Sequence, residues 1–106
     1  MGKKSAAVKY LEKLAGGPLT FGRLIQSIRL GEEESLASFA EKLGVTRQNL
    51  SDIEHGRRGV SIERAAQWAQ LLGYAPEQFV ELAVQAQLDA AKLGLRVSIS
   101  AARAVG

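Results

Sequence analysis

Twenty residues decide the fold of this chain: residues 36–55 read LASFAEKLGVTRQNLSDIEH. Apolar residues recur at helical spacing on both sides of Gly44, which tolerates the positive φ that a tight turn after a helix requires. Ala40 is small enough for two helix backbones to approach each other there. The apolar side chains expected to point inward are Phe39, Leu43, Val45, Leu50 and Ile53. The stretch therefore predicts two short helices that cross at a tight turn.

Capping and breaking residues on either side extend this pattern into an all-α chain. Ser and Thr precede apolar runs of helical period, and Gly or Pro follows most of them. The predicted helices cover residues 5–15, 20–30, 35–43, 46–55, 61–72 and 76–93. Leu95, Val97 and Ile99 then alternate with polar residues, which predicts a short strand without a partner in its own chain. We expect three parts: an N-terminal helix and linker (1–19), a helical domain (20–93) and a tail (94–106).

Composition excludes several classes of protein. The chain has 106 residues, no cysteine and one histidine, so disulfides, thiol catalysis and Cys/His metal sites are not expected. No apolar run reaches the roughly 18–20 residues of a membrane span, and no signal peptide is recognisable. We expect a cytoplasmic protein that is not an enzyme and holds no cofactor. The net charge is +3, which on its own favours nucleic acid only mildly.

Residues 40–46 and 50–56 resemble the Cro/C1-type (XRE) helix-turn-helix family, which includes phage repressors and many small bacterial regulators. The resemblance covers roughly residues 20–83. It implies a five-helix, lambda-repressor-like DNA-binding domain, to which this chain adds the N-terminal helix and the C-terminal strand. In such proteins the second helix of the motif enters the major groove. The resemblance thus implies a transcriptional regulator, most simply a repressor of an inverted-repeat operator. The alternative is a helical hairpin that only packs, or a relative that has lost DNA binding.

Three residues fall where this family reads base edges. They are Arg47, Gln48 and Asp52, on the face of the second helix that is predicted to be exposed. An arginine can pair with guanine O6 and N7, and a glutamine with adenine N6 and N7. A carboxylate at position 52 could accept from cytosine or exclude other bases. The alternative for Arg47 and Gln48 is an ordinary solvated helix face.

Other residues fall at positions that contact the DNA backbone or brace the motif in this family. The expected backbone contacts are Ser35, Thr46, Asn49, His55, Arg57 and Arg58. His55 could also be simply exposed at a helix end. Near the start of the first motif helix, this chain departs from the family pattern, because Leu36 stands where many relatives have a polar residue. Glu54 matches a glutamate that pairs with an arginine on the preceding long helix, and Arg29 is the candidate partner.

The tail predicts an interaction with another chain. One such domain covers only about half a helical turn of DNA, so a dimer is expected for specific binding. The residues predicted to dimerise are Val84, Leu88, Leu95, Val97 and Ile99, with the two tail strands paired across the dyad. The alternative is an antitoxin that resembles HipB-like or HigA-like proteins, binds a toxin protein and represses its own operon. In that case the tail could be the toxin-binding segment.

Overall fold

The computed structural model describes residues 19–102 and folds them into five helices. They are α1 (Phe21–Gly31), α2 (Leu36–Leu43), α3 (Arg47–Glu54), α4 (Ile62–Leu72) and α5 (Pro76–Ala90). The prediction of an all-helical fold with these five helices is confirmed. The predicted helix over residues 5–15 lies outside the described residues.

Local capping explains where four of the five helices begin. The hydroxyl oxygens of Thr20, Ser35, Thr46 and Ser61 each accept a hydrogen bond from the backbone N–H three residues later, at 3.0–3.2 Å. Each bond satisfies a donor that has no partner within its helix. The exception is α5, which begins with Pro76 in place of a side-chain cap. Proline suits the first helical position because its missing N–H would be unpaired there anyway.

The core lies between α1, the hairpin of α4 and α5, and the inner faces of α2 and α3. Phe21 stacks on Trp68 with ring centres 6.2 Å apart and meets the edge of Phe79 at 6.0 Å. All three side chains are buried. The indole Nε1–H of Trp68 also donates to the carbonyl oxygen of Leu43 at 3.2 Å. This bond ties α4 to the last residue of α2 and so fixes how α2 sits on the core.

The first turn of α1 packs directly against the end of α3 at Gly22. A Cβ atom on this residue would collide with the backbone carbonyl oxygens of Ile53 and Glu54. Glycine is therefore required here because two backbones approach each other closely. A positive φ is not the reason, because Gly22 does not have one. Sequence analysis missed this requirement because Gly22 sits inside a helical pattern without any turn signal around it.

The structure of the C-terminal part of the chain differs from two predictions. Helix α5 ends at Ala90, not near residue 93, because Lys92 and Gly94 take positive φ values of 55° and 67° and turn the chain back. The strand predicted for residues 95–100 is wrong: residues 19–102 contain no strand. A strand requires a neighbouring backbone, whereas this segment is hydrogen-bonded by side chains of α5. The Gln85 amide bonds Leu95 O at 2.9 Å and Val97 N–H at 2.8 Å.

Candidate nucleic-acid interface

The turn between α2 and α3 has the geometry that the sequence predicted. Gly44 takes a φ of +75°. Its N–H bonds Glu41 O at 3.2 Å, and the next N–H, from Val45, bonds Ala40 O at 3.0 Å. This pair of bonds is a Schellman motif, which satisfies the last carbonyls of α2. Ala40 is buried at the crossing, and two residues after Gly44, Thr46 caps α3.

Helix α3 divides into a buried face and a solvent face. Leu50 and Ile53 are buried in the core. Arg47 and Gln48 are exposed in the first turn, and Asn49 is partly exposed beside them. The side chain of Arg47 forms no hydrogen bond or ion pair with any described residue, so its guanidinium is available to a ligand. The first turn of α3 therefore presents a charged and an amide side chain to solvent on a rigid support.

Asp52 joins two of the predicted DNA-binding side chains. Its Oδ1 atom accepts a hydrogen bond from Gln48 Nε2 at 3.1 Å and another from Arg57 Nε at 2.9 Å. The bond from Arg57 is the main reason that the pKa of the Asp52 carboxyl lies below its usual value, and the bond from Gln48 lowers this pKa further. Asp52 is therefore ionised at neutral pH and already engaged. Nothing in the sequence marked this cluster beyond the four-residue spacing of Gln48 and Asp52.

His55, Arg57 and Arg58, three more of the predicted contacts, lie at the end of α3 and in the loop after it. Gly56 has a φ of +75°, and the N–H of Arg57 bonds Asp52 O at 2.8 Å, which closes a second Schellman motif. Arg57 and Arg58 are both exposed. His55 Nδ1 lies 2.8 Å from Ser51 O. Because a carbonyl oxygen can only accept a hydrogen bond, Nδ1 of His55 carries a proton. The ring itself is exposed.

A buried ion pair fixes α3 against α1. Arg29 donates to both carboxylate oxygens of Glu54, from Nε at 2.7 Å and from Nη2 at 3.0 Å. Only 12% of the Arg29 side chain and 1% of the Glu54 side chain are exposed. The hydrogen bond to Glu54 raises the pKa of the Arg29 guanidinium above its usual value. Arg29 Nη1 also bonds Glu34 O at 3.0 Å, so one side chain holds both α3 and the loop before α2.

Comparisons with known proteins agree with this geometry. Residues 33–79 match the helix-turn-helix family, and this range includes α2, the turn, α3 and α4. Residues 33–79 therefore form a helix-turn-helix domain of the Cro/C1 type. A solved structure of a proposed antidote protein of a plasmid maintenance system from Nostoc punctiforme is similar to it. The identity is 28% over 71% of this chain and 82% of that one, with a TM-score of 0.62. No curated protein matches the chain.

The helix-turn-helix domain is acidic at the start of α2. Lys42 lies 3.3 Å from Glu32 Oε1 and 3.6 Å from Glu34 Oε2, and the bond to Glu32 raises the pKa of the Lys42 ammonium. Ser35 stands beside this cluster, exposed, with its hydroxyl oxygen engaged as the cap of α2. Its O–H remains free to donate. The carboxylates around it make this the least favourable of the predicted phosphate contacts.

The residues predicted to dimerise lie in two places: Val84 and Leu88 on the side of α5 opposite its buried Phe79 and Ala83, here called the outer side of α5, and the other three in the tail. Val84 and Leu88 are partly buried along α5, as are Val97 and Ile99 in the tail, whereas Leu95 is 56% exposed. The tail runs back beside α5, and the N–H of Ile99 donates to Glu81 Oε1 at 2.9 Å. Sequence analysis missed the roles of Glu81 and Gln85, since polar residues four apart on a helix usually face solvent.

Residues 19–102 contain neither a cluster of metal-binding side chains nor a membrane-spanning helix. No group of three or more His, Cys, Asp or Glu side chains there is arranged to hold a metal ion. Within the same residues, none of the helices has the length and apolarity needed to cross a membrane.

Proposed function

We propose that this DNA-binding protein is a dimeric repressor that acts in the cytoplasm and reads an inverted-repeat operator through α3. The observation that carries the proposal is the exposed first turn of α3. Arg47 and Gln48 project from a helix whose opposite face is buried and whose end is held by the Arg29–Glu54 ion pair. A base-reading helix needs this combination, because side chains are selective only when their backbone is fixed.

Base reading is assigned to Arg47 and Gln48. The unpaired guanidinium of Arg47 suits guanine O6 and N7, and the amide of Gln48 suits adenine N6 and N7. Asp52 lies on the same face but is engaged by Gln48 and Arg57. Direct contact of Asp52 with cytosine would require these bonds to rearrange. We therefore assign the direct contacts with bases to the first two residues.

Contacts to the DNA backbone are proposed on both sides of these two residues. Thr46 and Asn49 lie at the start of α3, and the exposed loop after α3 supplies the cations. The residues of this proposed backbone surface are Ser35, Thr46, Asn49, His55, Arg57 and Arg58. Such contacts fix the register of the protein on the duplex without reading its sequence.

Dimerisation is proposed through the tail and the outer side of α5. A single domain of this kind contacts one half-site, so two copies are needed for an inverted repeat. Val84, Leu88, Leu95, Val97 and Ile99 supply apolar side chains that the described part of the chain leaves partly or fully exposed. Their burial against the same surface of a second copy would give a two-fold symmetric interface.

A second candidate function is that of an antitoxin. It is favoured by the similarity to the proposed antidote protein from Nostoc punctiforme. In this case the tail and the outer side of α5 bind a toxin protein, and the helix-turn-helix represses the operon that encodes both. The test is to co-express the chain with the product of the adjacent gene. A stoichiometric complex would support the antitoxin function, and separate elution would oppose it.

The DNA-binding proposal is tested by selecting bound sequences from random duplexes. We expect an inverted repeat whose half-sites are about 10 base pairs apart, or a multiple of that, because the two reading helices lie on one side of the duplex. Absence of any enriched sequence would contradict a sequence-specific repressor. A single enriched half-site without symmetry would contradict the dimer alone.

A further inference from the structure

Asp52 has a role in the recognition surface that direct base reading does not explain. We propose that Asp52 is a positioning residue, which fixes the amide of Gln48 for one base and couples it to the phosphate-binding Arg57. This inference rests on the proposed function, since it concerns how α3 chooses its sequence.

The bond between Gln48 and Asp52 selects one of the two orientations of the amide. Nε2 donates to Oδ1 of Asp52 at 3.1 Å. A flipped amide would instead bring its oxygen against a carboxylate oxygen, and neither atom can donate. The observed orientation leaves Oε1 and the second Nε2 hydrogen for a ligand. This acceptor and donor match N6 and N7 of adenine, so the carboxylate predisposes Gln48 to that base.

The same carboxylate oxygen holds Arg57. Arg57 donates from Nε at 2.9 Å, which leaves both terminal nitrogens for a phosphate, and its side chain is 56% exposed. The carbonyl oxygen of Asp52 also accepts the backbone N–H groups of Arg57 at 2.8 Å and Arg58 at 3.3 Å. One residue therefore determines where the base-reading amide and the phosphate-binding loop stand relative to each other.

Direct reading by Asp52 and the positioning role predict different results. If Asp52 bonded a base itself, its loss would relax selectivity at a base pair of its own. If it acts through Gln48, its loss relaxes selectivity at the base pair that Gln48 reads. If it only repels DNA, its loss strengthens binding to every duplex equally, because one negative charge is removed.

The DNA test compares Asp52→Ala, Gln48→Ala and the double variant on the selected operator and on duplexes with single base-pair changes. Glu41→Ala is the matched control, since it removes an exposed carboxylate of α2 that has no side-chain partner among the described residues. We expect Asp52→Ala to reduce discrimination at the Gln48 base pair by at least about fivefold. The double variant should lose no more than Gln48→Ala does.

Three outcomes would overturn the proposal: relaxation at a different base pair, additive losses in the double variant, or a uniform gain in affinity like that of Glu41→Ala. A lack of sequence preference in the wild-type protein would instead overturn the proposed function, together with the assignment of a base to Gln48.

A second test needs no DNA and examines the contact between Gln48 and Asp52 directly. The side-chain amide signals of Gln48 are followed by NMR in the free protein as the pH is lowered through the range where Asp52 takes up its proton. The pKa of Asp52 lies below its usual value, so the amide signals should shift with a midpoint below that of an ordinary aspartate. Gln67, which is exposed on α4, is the control that should not follow it. Gln48 signals without this transition would contradict the positioning contact.

Discussion

At the scale of single residues, the Arg29–Glu54 pair contributes most clearly to holding α3 in place. Both side chains are almost fully buried, and Arg29 donates a hydrogen bond to each carboxylate oxygen of Glu54. Removing one partner from such a pair leaves a charge in the interior without compensation. The sequence could predict this pair because the family resemblance places both residues. It could not predict that Arg29 also bonds the carbonyl of Glu34, since that bond depends on the path of a loop.

We predict that Arg29→Met lowers the free energy of unfolding by about 3–5 kcal/mol, because the Glu54 carboxylate stays buried without its cation. Urea denaturation followed by circular dichroism measures this loss. Arg57→Met is the control: it also removes a guanidinium, but from the exposed pair with Asp52, and should leave the free energy of unfolding nearly unchanged. Equal losses in the two variants would contradict a special structural role for Arg29.

At the scale of helices, local capping and breaking residues predicted where the helices begin and end. Contacts between residues that are distant in the sequence were not predicted. The caps Thr20, Ser35, Thr46 and Ser61 were predictable because a cap bonds a residue only three positions away. The tail strand was predicted wrongly. Alternating apolar and polar residues indicate an extended backbone, but they do not show which groups form hydrogen bonds with that backbone. Gly22 was missed for the same reason, as its constraint comes from carbonyl oxygens at the end of α3.

Gly22→Ala tests the packing of α1 on α3. The new Cβ atom would collide with backbone oxygens that have no rotamer to relax into. We therefore expect a loss of about 1–3 kcal/mol or more in the free energy of unfolding, despite the better helix propensity of alanine. Gly31→Ala is the control, since a Cβ there meets nothing within 4 Å, and it should be neutral or slightly stabilising. A stable Gly22→Ala variant would show that α1 and α3 are not packed as described.

At the scale of the whole molecule, the proposed function assigns DNA and a second protein chain to different surfaces. We propose the exposed turn of α3 and the loop after it for DNA, and the outer side of α5 with the tail for another protein chain. The sequence predicted both surfaces, and both stay predictions. It could not show that Gln85 binds the tail through both ends of its amide, which holds Leu95 and Val97 beside α5.

Deletion of residues 94–106 is expected to convert a dimer into a monomer. The deletion removes three of the five proposed interface residues, together with the backbone that Gln85 and Glu81 hold. Sedimentation equilibrium gives the mass directly. Gln85→Ala is a milder variant that should weaken the dimer while the helices remain folded. A truncated protein that is still a dimer would place the interface elsewhere.

Affinities for the selected operator and for its single base-pair variants test whether α3 reads DNA sequence through Arg47 and Gln48. The wild-type protein, Arg47→Ala and Gln48→Ala should be compared at one fixed salt concentration. We predict that each substitution costs about 1–3 kcal/mol on the operator and removes discrimination at one base pair in each half-site, a guanine for Arg47 and an adenine for Gln48. Unchanged discrimination at every base pair in both variants would contradict the account.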